Sequence, residues 1–302
     1  MRLLLFNMIA DGQSAHSLEP ICEWLDARGV DYSMFSDEVF KAEQSSEFKR
    51  MQASICEFDL VCSFGGDGTT LRAAHIIGTS EVPLLSINFG HLGFLAGAGE
   101  GDLFKALEAA VTDKLTSDPR IILEAEVSYC NGSVENHIAF NELVVSRGHF
   151  GRIVSLDMAI NDNHLDTIRG DGVLIATPTG STAYSLSAGG PIMAPNHSGL
   201  CVVPISPHSL ASRAVITTSQ DMVEIVPNVD NRQKLVLFID GEVFWIHPTD
   251  GLSGAVAADD ERGEIIRVKA GVSKNKLNLR RYGSYDFYTH IAEVFFRGSN
   301  AR

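Results

Sequence analysis

The sequence predicts an α/β domain followed by a mainly β domain. Over the first hundred residues or so, apolar strand-like runs alternate with helical periodicities, and from about residue 120 short alternating strands dominate. The first pattern is typical of a parallel sheet covered by helices, whereas the second indicates an antiparallel β domain. A chain of 302 residues is long enough to bury two such cores.

In the first domain, expected over residues 1–118, each element has its own signal. Leu18, Ile21 and Leu25 fall at helical spacing, and Gly29 is placed to end that helix. A second amphipathic helix is expected near the end of the domain. The predicted elements are strands over 2–7, 30–35, 59–64 and 83–88 and the second helix over 103–111.

The second domain is expected over residues 119–276. Apolar and polar residues alternate along several segments, and the Asn131-Gly132 and Asp240-Gly241 pairs are typical of hairpin turns. The alternating segments are 123–129, 154–160, 235–239 and 266–270. Helical spacing returns in the last stretch, so we expect residues 277–302 to pack back on the first domain.

Composition excludes several classes of function. The formal net charge of −14 disfavours nucleic acid and acidic membranes as partners. The five cysteines form no CxxC pair, which argues against a zinc site or a disulfide framework. No apolar run approaches the roughly 20 residues that a membrane-spanning helix needs. A cytoplasmic location is the expectation that follows.

A glycine-rich segment follows the strand predicted at 59–64. Gly65, Gly66 and Gly68 allow a sharp turn, and the helix expected to begin at Thr69 supplies free N–H groups, so this segment predicts a phosphate-binding loop. Asp67 could hold Mg²⁺ or accept a proton from an attacking hydroxyl.

The alternative is a tight strand-to-helix turn with Asp67 as the helix N-cap. Because Asp67 stands between two glycines, we expect its carboxylate to face solvent or to point at a ligand.

A second motif extends from Arg169 to Pro191. An apolar strand over 173–176 is followed by small and hydroxylic residues, which suit a flat polar ligand lying against the backbone. Tyr184 is the one large aromatic residue there and could stack on a base or a nicotinamide ring. The alternative is a hydroxyl-rich loop in which Tyr184 belongs to the core.

These motifs, in their order and spacing, resemble the NAD kinase family. The long second motif is highly specific, whereas GGDGT alone also occurs in lipid kinases and phosphofructokinases. The matching segments are GGDGT at 65–69, INFGHLGFL at 87–95, Asn141-Glu142, GDG at 170–172, TPTGSTAYSLSAGGP at 177–191, PISPHSL at 204–210 and Asp240-Gly241.

The resemblance implies a Rossmann-like α/β domain, a β-sandwich-like domain and an active site between them. The implied reaction phosphorylates the 2′-hydroxyl of the adenosine ribose of NAD, with ATP or a related donor, to give NADP. It also implies a divalent ion such as Mg²⁺, without a fixed metal site made by the protein alone. Family members are cytoplasmic homodimers or homotetramers.

The resemblance transfers roles to matching positions. Asp67 matches the catalytic acid, while Arg152 and Glu242 match more peripheral contacts. The positions implied to bind NAD are Asp67, Gly68, Arg72, Asn141, Glu142, Arg152, Arg169, Asp171, Thr179, Thr182, Ala183, Tyr184, Ser185, Leu186, Ser187 and Glu242.

Two rival functions share the scaffold. A lipid or sphingoid kinase would also carry GGDGT, but it would need an apolar cleft in place of the hydroxyl-rich second motif. A catalytically silent NADP-binding or sensor protein is the rival from another class, and the intact Asp67 speaks against it.

Overall fold

The computed structural model describes residues 1–7, 18–36, 46–90, 93–147, 152–228, 235–246 and 263–297. It divides into two compact units, one formed by Met1–Arg120 with Asn275–Arg302 and the other by Ile121–Lys274. Two long strands, Thr116–Tyr129 and Ile265–Arg281, each contribute residues to both units.

The first unit is built on a parallel sheet, as the sequence predicts. Its strands follow the order β2-β1-β3-β4, and the outer edge of β4 pairs in parallel with Leu279–Arg280 and with β5. The strands are β1 (Arg2–Asn7), β2 (Asp31–Ser36), β3 (Leu60–Phe64), β4 (Leu84–Asn88) and β5 (Ala98–Gly99). The helices are α1 (Glu19–Asp26), α2 (Ser46–Ser54), α3 (Asp67–Ile77) and α4 (Leu103–Val111).

The inner strands of this sheet are mostly apolar because both of their faces are covered. Leu3, Leu4, Leu5 and Phe6 are fully buried, and every residue of β3 and β4 is buried. Continuous apolar runs of this kind are typical of parallel sheets that carry helices on both faces.

The strand order reverses between β1 and β3. The chain places β2 on one side of β1 and then crosses to place β3 on the other, with Asn7 of β1 opposite Phe64 of β3. Ligands of open α/β sheets bind at the carboxyl ends of the strands at such a reversal. The glycine-rich loop follows Phe64 directly, so it lies at this position.

The second unit consists of two antiparallel sheets, in agreement with the predicted mainly β domain. One sheet has the order β10-β9-β14-β17-β6-β7 and the other β13-β12-β11-β8-β15-β16. Their strands are β6 (Thr116–Tyr129), β7 (Val134–Ala139), β8 (Glu142–Ser146), β9 (Val154–Ile160), β10 (Asn163–Gly170), β11 (Gly172–Ala176), β12 (Cys201–Ile205), β13 (Val215–Ile216), β14 (Val223–Pro227), β15 (Val236–Ile239), β16 (Glu242–Ile246) and β17 (Ile265–Arg281).

One core lies between these two sheets. Leu123 and Leu156 from the first sheet share a buried cluster with Val145, Ile175 and Leu237 from the second. Side chains of two sheet faces that share one core define a β-sandwich. A short helix, α5 (Tyr184–Ser187), follows β11 in this unit.

The C-terminal segment is helical, as its spacing predicts. Helix α6 (Phe287–Ile291) starts after Asp286, whose carboxylate accepts a hydrogen bond from the backbone nitrogen of Thr289 at 2.7 Å. It continues as a π-helical turn over Ala292–Arg297. Within the described ranges, no helix combines the length and the apolar character needed to cross a membrane.

Candidate active site

The GGDGT segment forms a tight turn between β3 and α3. The N–H of Gly65 donates to the carbonyl of Ile87 at 3.0 Å, and φ of Gly65 is +152°. A Cβ atom on Gly65 would lie 2.3 Å from Oγ1 of Thr69, so only glycine fits there. Helix α3 begins at Asp67, with Gly66 as its N-cap, which is two residues before the expected start.

The start of α3 offers backbone donors to an anion. The first N–H groups of a helix have no acceptor within the helix, and Gly66 and Gly68 leave this end exposed. Thr70 fastens the turn, because its hydroxyl contacts the Gly66 carbonyl at 3.2 Å and the Ser86 hydroxyl at 2.5 Å. Arg72 is half-buried in the next turn of the helix.

The carboxylate of Asp67 is held by a distant loop. Its Oδ2 accepts from the N–H of Phe94 at 2.9 Å and its Oδ1 from the N–H of Leu95 at 3.3 Å. It makes no N-cap hydrogen bond to its own helix. The N-cap alternative was therefore wrong, and the carboxylate has two backbone partners that the sequence did not indicate. The spacing of the glycines could not reveal that the Asp67 carboxylate accepts hydrogen bonds from backbone amides 27 and 28 residues further along the chain.

The surroundings of Asp67 set the pKa of its carboxyl group. Burial raises its pKa, and the hydrogen bonds from Leu95 and Phe94, together with the charges of Arg281 and His290, oppose that rise without cancelling it. A general base works best when its pKa lies closer to the working pH than that of a free carboxylate. Each carboxylate oxygen accepts one amide and keeps a lone pair for a proton.

In the second unit, Asn141 and Glu142 lie at the start of β8 on a backbone that Asp240 holds. The Asp240 carboxylate accepts from the N–H groups of Phe140, Asn141 and Glu142 at 2.8, 2.7 and 3.0 Å. Asp240 lies at φ +48° in the predicted Asp-Gly turn, beside Gly241 at φ +84°. The sequence motif contains this pair, but it gave no indication that Asp240 supports Asn141 and Glu142.

Glu142 carries a buried and incompletely paired carboxyl group. The residue is 5% exposed, and its Oε2 atom has no hydrogen-bond partner among the described residues. Burial, and then the neighbouring Asp240 carboxylate, raise the pKa of Glu142 to about 8. A shift of this kind is characteristic of functional sites.

The segment after β11 is hydrogen-bonded to the backbone of Phe140 and Asn141. Thr177 donates its N–H to the Asn141 carbonyl at 2.8 Å and its hydroxyl to the Phe140 carbonyl at 2.6 Å. A Cβ atom on Gly180 would lie 2.2 Å from the Asn141 oxygen, so glycine permits this close approach. The structure thus brings Asn141 and Glu142 together with the start of the hydroxyl-rich motif.

The side chains of this motif differ widely in exposure. Tyr184 is 44% exposed, so the alternative that placed its ring in the core was wrong. Ser185 is buried, and its hydroxyl has no hydrogen-bond partner within the described ranges. Of the remaining predicted contacts, Thr179 is buried, Thr182, Ala183 and Leu186 are half-buried and Ser187 is exposed.

The carboxylate of Asp171 accepts a hydrogen bond from Arg147, a residue to which the sequence analysis gave no role. The Nε atom of Arg147 donates to its carboxylate at 2.5 Å, and this hydrogen bond holds the pKa of Asp171 below its usual range. The Arg169 carbonyl accepts from the N–H of His208 at 2.8 Å, which joins two of the motifs. The side chains of Arg169, Arg152 and Glu242 are exposed.

The described residues do not form a metal site of their own. They contain no group of three or more His, Cys, Asp or Glu side chains that could hold an ion. Both oxygens of Asp67 already accept backbone amides. The described residues around Asp67 therefore do not by themselves form a resident Mg²⁺ site.

Comparison with known proteins agrees with this architecture. The family models described as ATP-NAD kinase N-terminal domain and ATP-NAD kinase C-terminal domain match residues 12–115 and 140–277. The NAD kinase of Geobacter sp. (strain M21) is 31% identical over 282 residues, covering 93% of this chain and 96% of that protein. The NAD kinase of Ruminiclostridium cellulolyticum is 38% identical over 244 residues, covering 80% and 84%.

Solved structures show the same fold. Yeast NADH kinase complexed with NADH superposes with a TM-score of 0.79 at 21% identity, covering 99% of this chain and 89% of that one. An NAD kinase from Archaeoglobus fulgidus in complex with ATP gives a TM-score of 0.68 at 21% identity, with both chains fully covered.

The fold and the matched domains place the protein among phosphotransferases that combine an α/β domain with a β domain, and the predicted fold class is confirmed. Within that class, the chain belongs to the NAD kinase family.

Proposed function

We propose that this enzyme transfers the γ-phosphoryl group of ATP to the 2′-hydroxyl of the adenosine ribose of NAD, giving NADP and ADP. The observation that carries the proposal is the Asp67 carboxylate, which is half-buried beside the exposed start of α3 and fixed by two backbone amides. Family membership supports the choice of substrates.

Asp67 is the proton acceptor in this proposal. The 2′-hydroxyl gives its proton to the carboxylate while its oxygen bonds to the γ-phosphorus, and the bond from that phosphorus to the bridging oxygen breaks to release ADP. The N–H groups of Gly66, Gly68 and Thr69 are assigned to the phosphates, and Gly65, whose N–H donates to Ile87, shapes the turn of this phosphate loop. Phosphoryl transfer depends mainly on positioning and charge stabilisation, so one acid and a helix terminus can suffice. Arg72 would add positive charge close to this turn.

Asn141 and Glu142 are assigned to the adenosine part of NAD. An amide side chain can donate to and accept from an adenine edge, and the Glu142 carboxyl has an oxygen to offer to ribose hydroxyls. The exposed ring of Tyr184 is assigned to stacking on the dinucleotide.

The remaining contacts are proposed from the resemblance alone. They are Arg169, Asp171, Thr179, Thr182, Ala183, Ser185, Leu186 and Ser187, with Arg152 and Glu242 at the periphery. Mg²⁺ is proposed to arrive bound to ATP, because the described residues form no cluster that would hold it. A cytoplasmic homodimer or homotetramer is the expected state of the enzyme.

One assay tests the function. Purified protein is incubated with ATP and Mg²⁺ and either NAD or sphingosine, and NADP or the phosphorylated lipid is measured. Formation of NADP alone supports the proposal. Phosphorylation of sphingosine would favour the lipid kinase, and NADP binding without turnover would favour the silent sensor.

A further inference from the structure

The position of the Asp67 carboxylate is set by the turn over residues 93–96. The amides of Phe94 and Leu95 hold its two oxygens at 2.9 and 3.3 Å. A Cβ atom on Gly93 would lie 2.1 Å from Oδ1 of Asp67, so the backbone of this turn touches the carboxylate directly. Any group that fixes the turn therefore fixes Asp67 as well.

Arg281, the last residue of β17, fixes that turn. Its Nη2 donates to the Phe94 carbonyl at 3.0 Å, and its Nη1 donates to the carbonyl of Ala96. The guanidinium thus binds the carbonyls of Phe94 and Ala96, the residues on either side of Leu95. The side chain is almost completely buried. A planar guanidinium can make such a forked contact, whereas an ammonium group cannot reproduce its geometry.

Asp118 and Tyr285 hold the Arg281 guanidinium in place, and Arg120 in turn fixes Asp118. Its Nε donates to the Asp118 carboxylate at 2.6 Å, and Arg120 donates to both oxygens of that carboxylate at 3.0 and 2.7 Å. The ring of Tyr285 lies 3.7 Å from the guanidinium carbon. Charge-assisted bonds and cation–π stacking in a buried site leave the group little freedom.

We propose that Arg281 is a positioning residue for phosphoryl transfer, acting on Asp67 through the carbonyls of Phe94 and Ala96. The inference rests on the proposed role of Asp67 as proton acceptor. Arg281 orients the carboxylate toward the acceptor hydroxyl and contributes positive charge that favours its ionised form.

Two substitutions separate orientation from charge. Arg281→Lys keeps the positive charge but loses the fork, so kcat should fall about tenfold, since a misplacement of about 1 Å can cost a factor of 100. Arg281→Met removes both, so kcat should fall further. The KM values for NAD and ATP should stay within about twofold of the parent values, because Arg281 is assigned no contact with either substrate.

The pH profile provides a readout that a purely structural role would not move. A cation lowers the pKa of a nearby carboxyl group, so its loss in Arg281→Met raises the pKa of Asp67, and the acidic limb of kcat shifts to higher pH. In Arg281→Lys the acidic limb of kcat should stay near its position in the parent enzyme, because the positive charge is kept. The other charged or titratable groups facing Asp67 or Arg281 are His290, Tyr285, Asp118 and Arg120, all unchanged in both variants.

Arg28→Met is the matched control. Arg28 also pairs with a carboxylate, Glu108 at 3.2 Å, and lies 3.7 Å from an aromatic ring, that of Trp24, but its partners belong to α1 and α4. The kcat and the pH profile of Arg28→Met should match those of the parent enzyme. Circular dichroism and melting temperature verify that each variant is folded, and Arg281→Lys serves as the test if Arg281→Met does not fold.

The inference is overturned if folded Arg281→Lys keeps the parent kcat, or if its loss appears in KM instead. An inactive parent, or an Asp67→Asn variant with full turnover, would instead reject the proposed function. The two failures are therefore distinguishable.

Discussion

The carboxyl groups of Asp67, in the first unit, and Glu142, in the second, lie in opposite electrostatic surroundings. Asp67 accepts two backbone amides and lies near the positive charges of Arg281 and His290. Glu142 has an oxygen without a partner among the described residues, and its neighbour is another carboxylate, that of Asp240, which accepts the three nearby amides itself.

This difference separates two kinds of carboxyl group. Amides and cations favour the charged form, so Asp67 is prepared to act as a base despite its burial. A buried carboxyl beside a like charge favours its neutral form, and the pKa of about 8 leaves Glu142 largely protonated at neutral pH. A neutral carboxyl can both donate to and accept from the hydroxyls and ring nitrogens of a nucleoside.

The largest expected effect is that of Asp67→Asn. Turnover should fall at least about 100-fold, because the amide is a very poor base. NAD binding, measured by calorimetry, should persist. The amide group can accept only one of the two N–H bonds, so we expect a stability loss of about 1–3 kcal/mol.

Asp286→Asn is the control for Asp67→Asn, since Asp286 also accepts a backbone N–H near a helix start at 2.7 Å. It should leave turnover unchanged. Parent-like turnover in Asp67→Asn would falsify the catalytic assignment.

Glu142→Ala should reduce kcat/KM for NAD at least tenfold, which corresponds to about 1.4 kcal/mol of transition-state binding. Steady-state kinetics with NAD as the varied substrate measure the effect. Glu242→Ala, the exposed position assigned to the periphery, should cost less. Equal losses in both variants would show that the buried carboxyl has no special part in binding.

The pH dependence of stability tests the protonation state of Glu142 directly. The pKa of Glu142 is about 8 in the folded chain against an ordinary 4.5, so the folded state holds a proton that the unfolded state releases between these values. The parent should therefore lose stability as pH rises through this window, and Glu142→Gln should lose less. The melting temperature of Glu142→Gln should exceed that of the parent by about 3 °C or more at pH 8. Parallel curves for the two proteins would contradict the raised pKa.

Tyr184→Ala should have the smallest effect. Loss of stacking should raise the KM for NAD about threefold, in keeping with aromatic contacts of about 0.5–1.5 kcal/mol. The melting temperature should hardly change, because the ring is 44% exposed. Tyr288→Ala removes a ring that is 67% exposed and should leave KM unaltered. A large drop in melting temperature with unchanged KM would contradict the assignment of Tyr184.

Sequence patterns alone predicted the succession of an α/β domain and a mainly β domain, and they predicted the family. The apolar run of β1, the helical spacing of Leu18, Ile21 and Leu25, and the alternation before Asp240-Gly241 all predicted the observed structure. Periodicity reports which face of an element is buried, and that information is local. The order of the motifs predicted the NAD kinase family, which the comparisons confirmed.

The groups that hold the Asp67 carboxyl and the backbone at Glu142 became visible from the three-dimensional contacts alone. Arg281 contacts the carbonyl of Ala96 across 185 positions, and Asp240 holds the amide of Asn141 across 99. No local signal indicates either contact, because Arg281 ends an alternating strand and the Asp240-Gly241 pair indicates a hairpin turn without indicating its distant partner. Such contacts arise from sheet pairing and chain reversal, which bring distant backbone groups to a side chain whose role no local pattern encodes.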